Sequence, residues 1–155
     1  QTFAQIGISA EWVQDNHSLS TERGVLRGLH YQLPPFAQDK LVRVTRGKAY
    51  DVVVDIRRQS GTFGQWAALE LSAERWNQLY VPKGFAHGYL TLEPDTEVLY
   101  KVSNVYSPDH ERSIRFEDRD IAIDWPLGDL EPLLSEKDKT AGPLQSADLP
   151  DNWEA

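Results

Sequence analysis

The sequence predicts an all-β fold, a sandwich or barrel built from eight or so short strands. Three observations carry that reading. From Glu11 to about Asp118 the chain is a succession of short runs in which apolar and polar residues alternate, the period of a strand with one buried face. Turn residues divide the runs: Gly61, Gly64, Pro82–Gly84 and Pro94–Asp95. Sustained helical periodicity is almost absent.

Taken in order, the opening QTFAQIGIS places Phe3 and Ile6 three apart and reads as the tail of a helix that Gly7 stops. GVLRGLHYQL, from Gly24 to Leu33, is a strand ended by Pro34–Pro35. KLVRVTRG, Lys40 to Gly47, alternates apolar and basic residues. AYDVVVDIRR, Ala49 to Arg58, puts Tyr50, Val52, Val54 and Ile56 on one face and Asp51, Val53 and Asp55 on the other. WAALELS, QLYVPKG, HGYLTLE, EVLYKVS and RSIRFED continue the series. After Pro126 the chain is richer in Pro, Asp and Glu. It reads as a tail draped over the surface, with a short helix near Ser135 to Lys139.

With 155 residues, 40% of them hydrophobic, one domain spanning 1–155 is expected. Such a chain buries roughly 68–70% of the surface it exposes when unfolded, so its core needs no staples. The absence of cysteine excludes disulfides, thiolate metal sites and a cysteine nucleophile. No apolar run approaches the ~20 residues of a membrane helix and no signal-peptide pattern opens the chain, so a soluble, cytoplasmic protein with no membrane partner is expected. Asp and Glu outnumber Lys and Arg by 24 to 16, a net charge of −8. That balance argues against a nucleic-acid partner. It is compatible with a small anionic ligand held by a few focused cations. Methionine is also absent, and with Gln1 in first place the chain reads as lacking its natural N-terminus.

The chemistry-bearing residues begin with four histidines: His17, His30, His87 and His110. His30, in RGLHYQ, has the titration range of a general base. Taken alone it fits a half-buried strand histidine equally well. Strict alternation sets Arg27 and His30 on opposite faces, so both reach one pocket only if the strand bulges near Gly28. His87 lies in VPKGFAHGY, whose P-x-G-x-x-H spacing resembles the second motif of the cupin superfamily. The corresponding first motif, His30-Tyr31-Gln32, lacks the second histidine and following carboxylate of metal-binding cupins. Two histidines make a poor transition-metal site, so no metal is expected.

A longer series is collinear from about Gln14 to Asp138: QDNHS, GVLRGLHYQ, KLVRVTRGKAYDVVVDIR, TFGQW, LYVPKGFAHGYLTL, EVLYKVSNVYSP and IDWP. It resembles the dTDP-4-dehydrorhamnose 3,5-epimerase family, metal-free cupin jelly-roll barrels that use no cofactor. The resemblance implies proton abstraction and return at C3 and C5 of a dTDP-4-keto-6-deoxy sugar. By resemblance His30 is the base, Asp138 the carboxylate orienting it, Tyr100 the proton donor and Lys40 the cation beside the C4 oxygen. Arg27 and Lys137 match diphosphate contacts. Gln14, Asp15, Asn16 and Glu111 match nucleotide contacts, Tyr106 matches the ring that stacks on thymine, and His87 lines the sugar pocket. His17 reads as local support and His110 as a surface loop residue.

The family opens on a strand patterned F-x-D-x-R-G-x-F that commonly crosses to the neighbouring subunit of a homodimer. Nothing before Gln1 supplies it. Val105 stands where many members carry a further tyrosine. A mono-epimerase, a non-catalytic nucleotide-sugar-binding cupin and a metal-dependent cupin are the competing readings. A matched base and acid argue against the non-catalytic one.

Overall fold

Alternation along residues 48–55 sends Ala49, Asp51 and Val53 to one side and Tyr50, Val52 and Val54 to the other, and the two sides meet different apolar cores. That strand is one of ten in the computed structural model, which describes residues 3–153. They are β1 (Gln14–Ser20), β2 (Val25–Gln32), β3 (Lys40–Arg46), β4 (Lys48–Asp55), β5 (Trp66–Ser72), β6 (Gln78–Val81), β7 (Phe85–Thr91), β8 (Thr96–Val102), β9 (Glu111–Ser113) and β10 (Leu133–Leu134). One sheet runs β1-β8-β3-β6; the other runs β10-β2-β7-β4-β5, with β9 added against the end of β2. The sole parallel pairing between these strands is the short one of β10 with β2.

Between the sheets lies the barrel interior: Val42, Val44 and Val98 from the four-stranded sheet face Ala49, Leu71 and Tyr89 from the other. The second core is on the outer face of the six-stranded sheet. There Leu26, Leu29, Tyr31, Val52, Val54 and Leu90 pack under Ile114, Ile121, Trp125, Leu144 and Trp153. Each such aliphatic or aromatic side chain contributes roughly 1.5–3 kcal/mol when fully buried. The tail after Pro126 lies mostly at the surface, as expected, but it also buries Leu144 and Trp153 in this core. Those two residues stand nine apart, so no periodicity announces their burial. Polar contacts fix the chain's course: Trp125 Nε1 donates to the Phe116 carbonyl, and Asp118 accepts from the amides of Asp120, Ile121 and Leu144.

The expected short helix is present as one turn, α1 (Glu136–Lys139), capped by Ser135. RSIRFED yields only the brief β9 and a bridge from Ile114 to Gly142. The opening segment forms a 3-10 turn over Phe3–Ile6, stopped at Gly7 with φ +83°; Gln1 and Thr2, also part of the helical reading, lie outside the described residues. No helix among the described residues is long and apolar enough to cross a membrane.

Candidate active site

Strand β2 carries the central irregularity. Leu26 and Arg27 pair with Leu90 and Tyr89 on β7, after which the register slips so that His30 faces His87. Gly28 and Leu29 on β2 thus stand against Gly88 alone, the geometry of a bulge. Its effect is the one the sequence required: Arg27 and His30, three apart, both line the cavity, while Leu26 and Leu29 stay in the outer core. Only glycine fits at the bulge. A Cβ on Gly28, where φ is +123°, would lie 2.5 Å from the Gly88 Cα and 2.8 Å from the His87 carbonyl oxygen.

The cavity at the open end of the barrel has an inner and an outer part that share Arg27, His30, Lys40 and Tyr100. The inner part, about 220 Å³, is completed by Ser18 on β1 and by His87, Gly88 and Tyr89 on β7. The outer part, about 300 Å³, extends over Gln14, Asn16, Gln32 and Gln38 to Tyr106, Glu111 and Lys137. Two larger hollows, against Trp153 and Asp118, share none of these residues.

His30 projects from the six-stranded sheet, Lys40 and Tyr100 from the four-stranded one, so base and phenol stand on opposite walls. His30 Nε2 lies 2.5 Å from Asp138 Oδ1. An ionised carboxylate only accepts, so Nε2 carries the proton and Nδ1 keeps the lone pair. Asp138 is almost wholly buried and is held by Ser135 Oγ at 2.6 Å and by the Gly28 amide at 3.4 Å. The bulge thus frees a backbone donor for the carboxylate that orients the imidazole.

Burial lowers the His30 pKa below its ordinary 6.5; the Asp138 hydrogen bond opposes the shift, while Lys137 and Lys40 add to it. Burial also penalises the Asp138 charge, but the bonds from His30, Ser135 and Gly28 outweigh it and hold the carboxyl below its usual range. Burial brings Lys40 down to about 8, with Asp51 and Glu111 opposing and Lys137 reinforcing that shift. The Tyr100 phenol is pushed up, first by burial and then by Tyr89 and Glu111. At neutral pH the cavity thus presents a neutral imidazole, an ammonium and a protonated phenol.

A second group forms the mouth. Glu111 accepts from Lys137 Nζ at 2.7 Å and from the Tyr106 hydroxyl at 2.9 Å. Burial would raise its carboxyl, but these two bonds lower it. Gln14 accepts from the Tyr106 amide and donates to Asn16. The Tyr106 ring is half exposed, free to be covered. Asp15 does not join this group: alternation along β1 turns it outward, where Lys101 holds it at 2.8 Å. His17 likewise points out, 3.3 Å from Glu97, and His110 braces a loop through Ser107.

Several lining residues escaped the sequence reading, Gln38 among them. Gln32 lines the outer cavity and ties the Phe36, Val105 and Ser107 backbones together; its place two after His30 on one strand face was a usable signal. Ser18 and Tyr89, hydrogen-bonded at 3.1 Å, floor the inner part. Among the described residues no three His, Asp or Glu side chains gather as a metal site, and both inner histidines commit Nε2 to a carboxylate.

The profile of the dTDP-4-dehydrorhamnose 3,5-epimerase family matches residues 1–146. A dTDP-4-dehydrorhamnose 3,5-epimerase of Shigella flexneri is 52% identical over 143 residues, covering 92% of this chain and 77% of that protein. The structure of dTDP-6-deoxy-D-glucose-3,5-epimerase from Legionella pneumophila in complex with dTDP-4-keto-L-rhamnose superimposes with a TM-score of 0.90 at 47% identity, over 96% of this chain and 79% of that one. A 3'-monoepimerase from Streptomyces bikiniensis in complex with dTDP-quinovose gives 0.86 at 37% identity, over 93% and 73%. The two-sheet barrel is the cupin-type jelly roll of these enzymes, and the chain belongs to the dTDP-4-dehydrorhamnose 3,5-epimerase family.

Proposed function

We propose that this chain epimerises dTDP-4-dehydro-6-deoxy-D-glucose at C3 and C5, giving dTDP-4-dehydro-L-rhamnose. The observation that carries the reading is the opposition of His30, oriented by Asp138, to Tyr100 across a cavity that also holds Lys40. Inverting a carbon beside a ketone takes a base on one face, an acid on the other and a charge for the enolate oxygen. His30 Nδ1 removes the proton, and the imidazolium formed is balanced by Asp138. The Lys40 ammonium stabilises the negative charge at the C4 oxygen. Tyr100 then delivers its phenolic proton to the opposite face of the carbon. The same arrangement serves C3 and C5 in turn, since both flank the one ketone.

The mouth suits a nucleoside diphosphate. Arg27, open to the cavity, offers a planar fork to phosphate oxygens and Lys137 a point charge. The exposed Tyr106 face offers a stacking platform for the base, with Gln14, Asn16 and Glu111 as polar partners around it. The chain works as a homodimer in this reading. Val13 and Leu19, about half exposed before and along the edge strand β1, support a partner there.

Proton NMR of the nucleotide sugar in deuterated buffer tests the reaction. Enzyme-dependent, chelator-insensitive loss of both the C3 and the C5 proton signals is expected. Loss at one carbon makes the chain a mono-epimerase, and binding without exchange makes it a non-catalytic binder.

A further inference from the structure

Asp51 is a carboxylate set in the apolar side of β4, between Ala49 and Val53, and it is 0% exposed. Its neighbours in register are Tyr89 on β7 and Leu69 on β5. One oxygen takes the His87 Nε2 at 2.8 Å; the other, Oδ2, is buried with no hydrogen-bond partner among the described residues. A carboxylate this deep costs several kcal/mol unless a positive charge faces it. His87 lines the inner cavity together with Lys40, which is itself only 9% exposed.

We propose that Asp51 is a positioning residue of the sugar pocket, whose charge holds Lys40 as an ammonium and whose hydrogen bond fixes His87 against the β7 wall. The other charged or titratable groups around Lys40 are Arg27, His30 and Tyr31 on β2, His87 and Tyr89 on β7, Tyr100 on β8, Tyr106 in the loop after it, Glu111 on β9 and Lys137 on α1. Of these, Arg27 and Lys137 are cations and Glu111 is already engaged by Lys137 and Tyr106. Asp51 is the buried anion left to balance Lys40, and among the charges acting on Lys40 it is the leading one in favour of the ammonium. Its unpartnered oxygen follows: it offsets a charge in the adjoining cavity instead of closing a hydrogen bond within the wall. The kinetic consequence rests on the epimerase reading; the effect on Lys40 does not.

Asp51→Asn is the test, because asparagine keeps the shape and an acceptor for His87 while removing the charge. In protein labelled with 13Cε-lysine, with Lys40→Met used only to identify the resonance, Lys40 should titrate at about 8 in the native chain. In Asp51→Asn the midpoint should fall by about one pH unit. The alkaline limb of kcat/KM should move down with it while the acid limb stays in place. If Lys40 titrates at the same pH in both proteins, the proposal is wrong. It is equally wrong if kcat/KM drops uniformly with no displacement of the limb, since a structural role alone would do that. If the native chain shows no turnover, the epimerase reading fails while the lysine titration still decides the Asp51–Lys40 relationship. Should Asp51→Asn not fold, the double variant Asp51→Asn with His87→Gln removes the pair together and is read by the same titration.

Discussion

His30 and His87 face each other across the β2–β7 pairing, and each commits its Nε2 to a carboxylate, Asp138 for the first and Asp51 for the second. The two pairs differ in what lies beyond the ring. His30 is the more accessible imidazole, with 19% of its side chain exposed against 7% for His87. It shares both parts of the cavity with Lys40 and Tyr100, whereas His87 touches the inner part alone. The assignment of His30 as base and His87 as wall follows from that difference.

The bulge at Gly28 is what brings Arg27 and His30 to one cavity, so the fold should tolerate no side chain there. Gly28→Ala would drive a Cβ to 2.5 Å from backbone on the neighbouring strand, at φ +123°. Left-handed strain alone costs on the order of 1–3 kcal/mol, and separating the strands adds to it. Thermal unfolding should show a Tm lowered by at least several degrees, with activity lost in whatever folds. An alanine variant as stable and active as the parent would remove the bulge from the account.

The rate should hold a plateau bounded by two groups. His30 acts as base only when neutral, and burial holds its pKa below the ordinary 6.5, so the acid limb of kcat/KM should have its midpoint below 6.5. Lys40 acts only when protonated, so the alkaline limb should have its midpoint at about 8. A pH–rate profile checks both sides. An acid limb centred above 6.5 would contradict the buried imidazole, and a plateau extending past pH 9.5 would contradict Lys40.

Tyr100→Phe separates proton removal from inversion. The variant keeps His30, Asp138 and Lys40, so deuterium should still enter the substrate at C3 or C5, returned by the base on the face from which the proton left. Inversion should fall by ~10²–10⁴-fold, the usual contribution of a positioned acid. Comparing exchange by NMR with product formation reads the two separately. Inversion at the parental rate would show that another group donates the proton.

The strands were legible because alternation and turn residues are local signals, and β2, β3, β4 and β7 fall where the pattern placed them. The need for a bulge was legible too, as a conflict between alternation and a shared pocket. Asp138 was not legible from local pattern: 108 residues separate it from His30, and only the resemblance paired them. Asp51 shows a different limit. Alternation set it opposite Val52 and Val54, but both faces of β4 are buried, so the pattern could not say which of them is the cavity side. Asp15 shows the converse. The Gln14-Asp15-Asn16 segment reads as a unit in sequence, yet a strand splits it, two residues in and one out. Burial in the C-terminal tail escaped because Leu144 and Trp153 stand nine residues apart and make no period.

The central claim is that His30 removes the proton, and the direct measurement is deuterium exchange into the nucleotide sugar by His30→Asn beside the parent chain. Asparagine keeps a donor for Asp138 and cannot act as base, so circular dichroism should report an unchanged fold. The parent should lose both the C3 and C5 proton signals, and the variant should retain them over times ~10²–10⁴-fold longer. Exchange in His30→Asn at the parental rate would contradict the account and place the base elsewhere in the cavity.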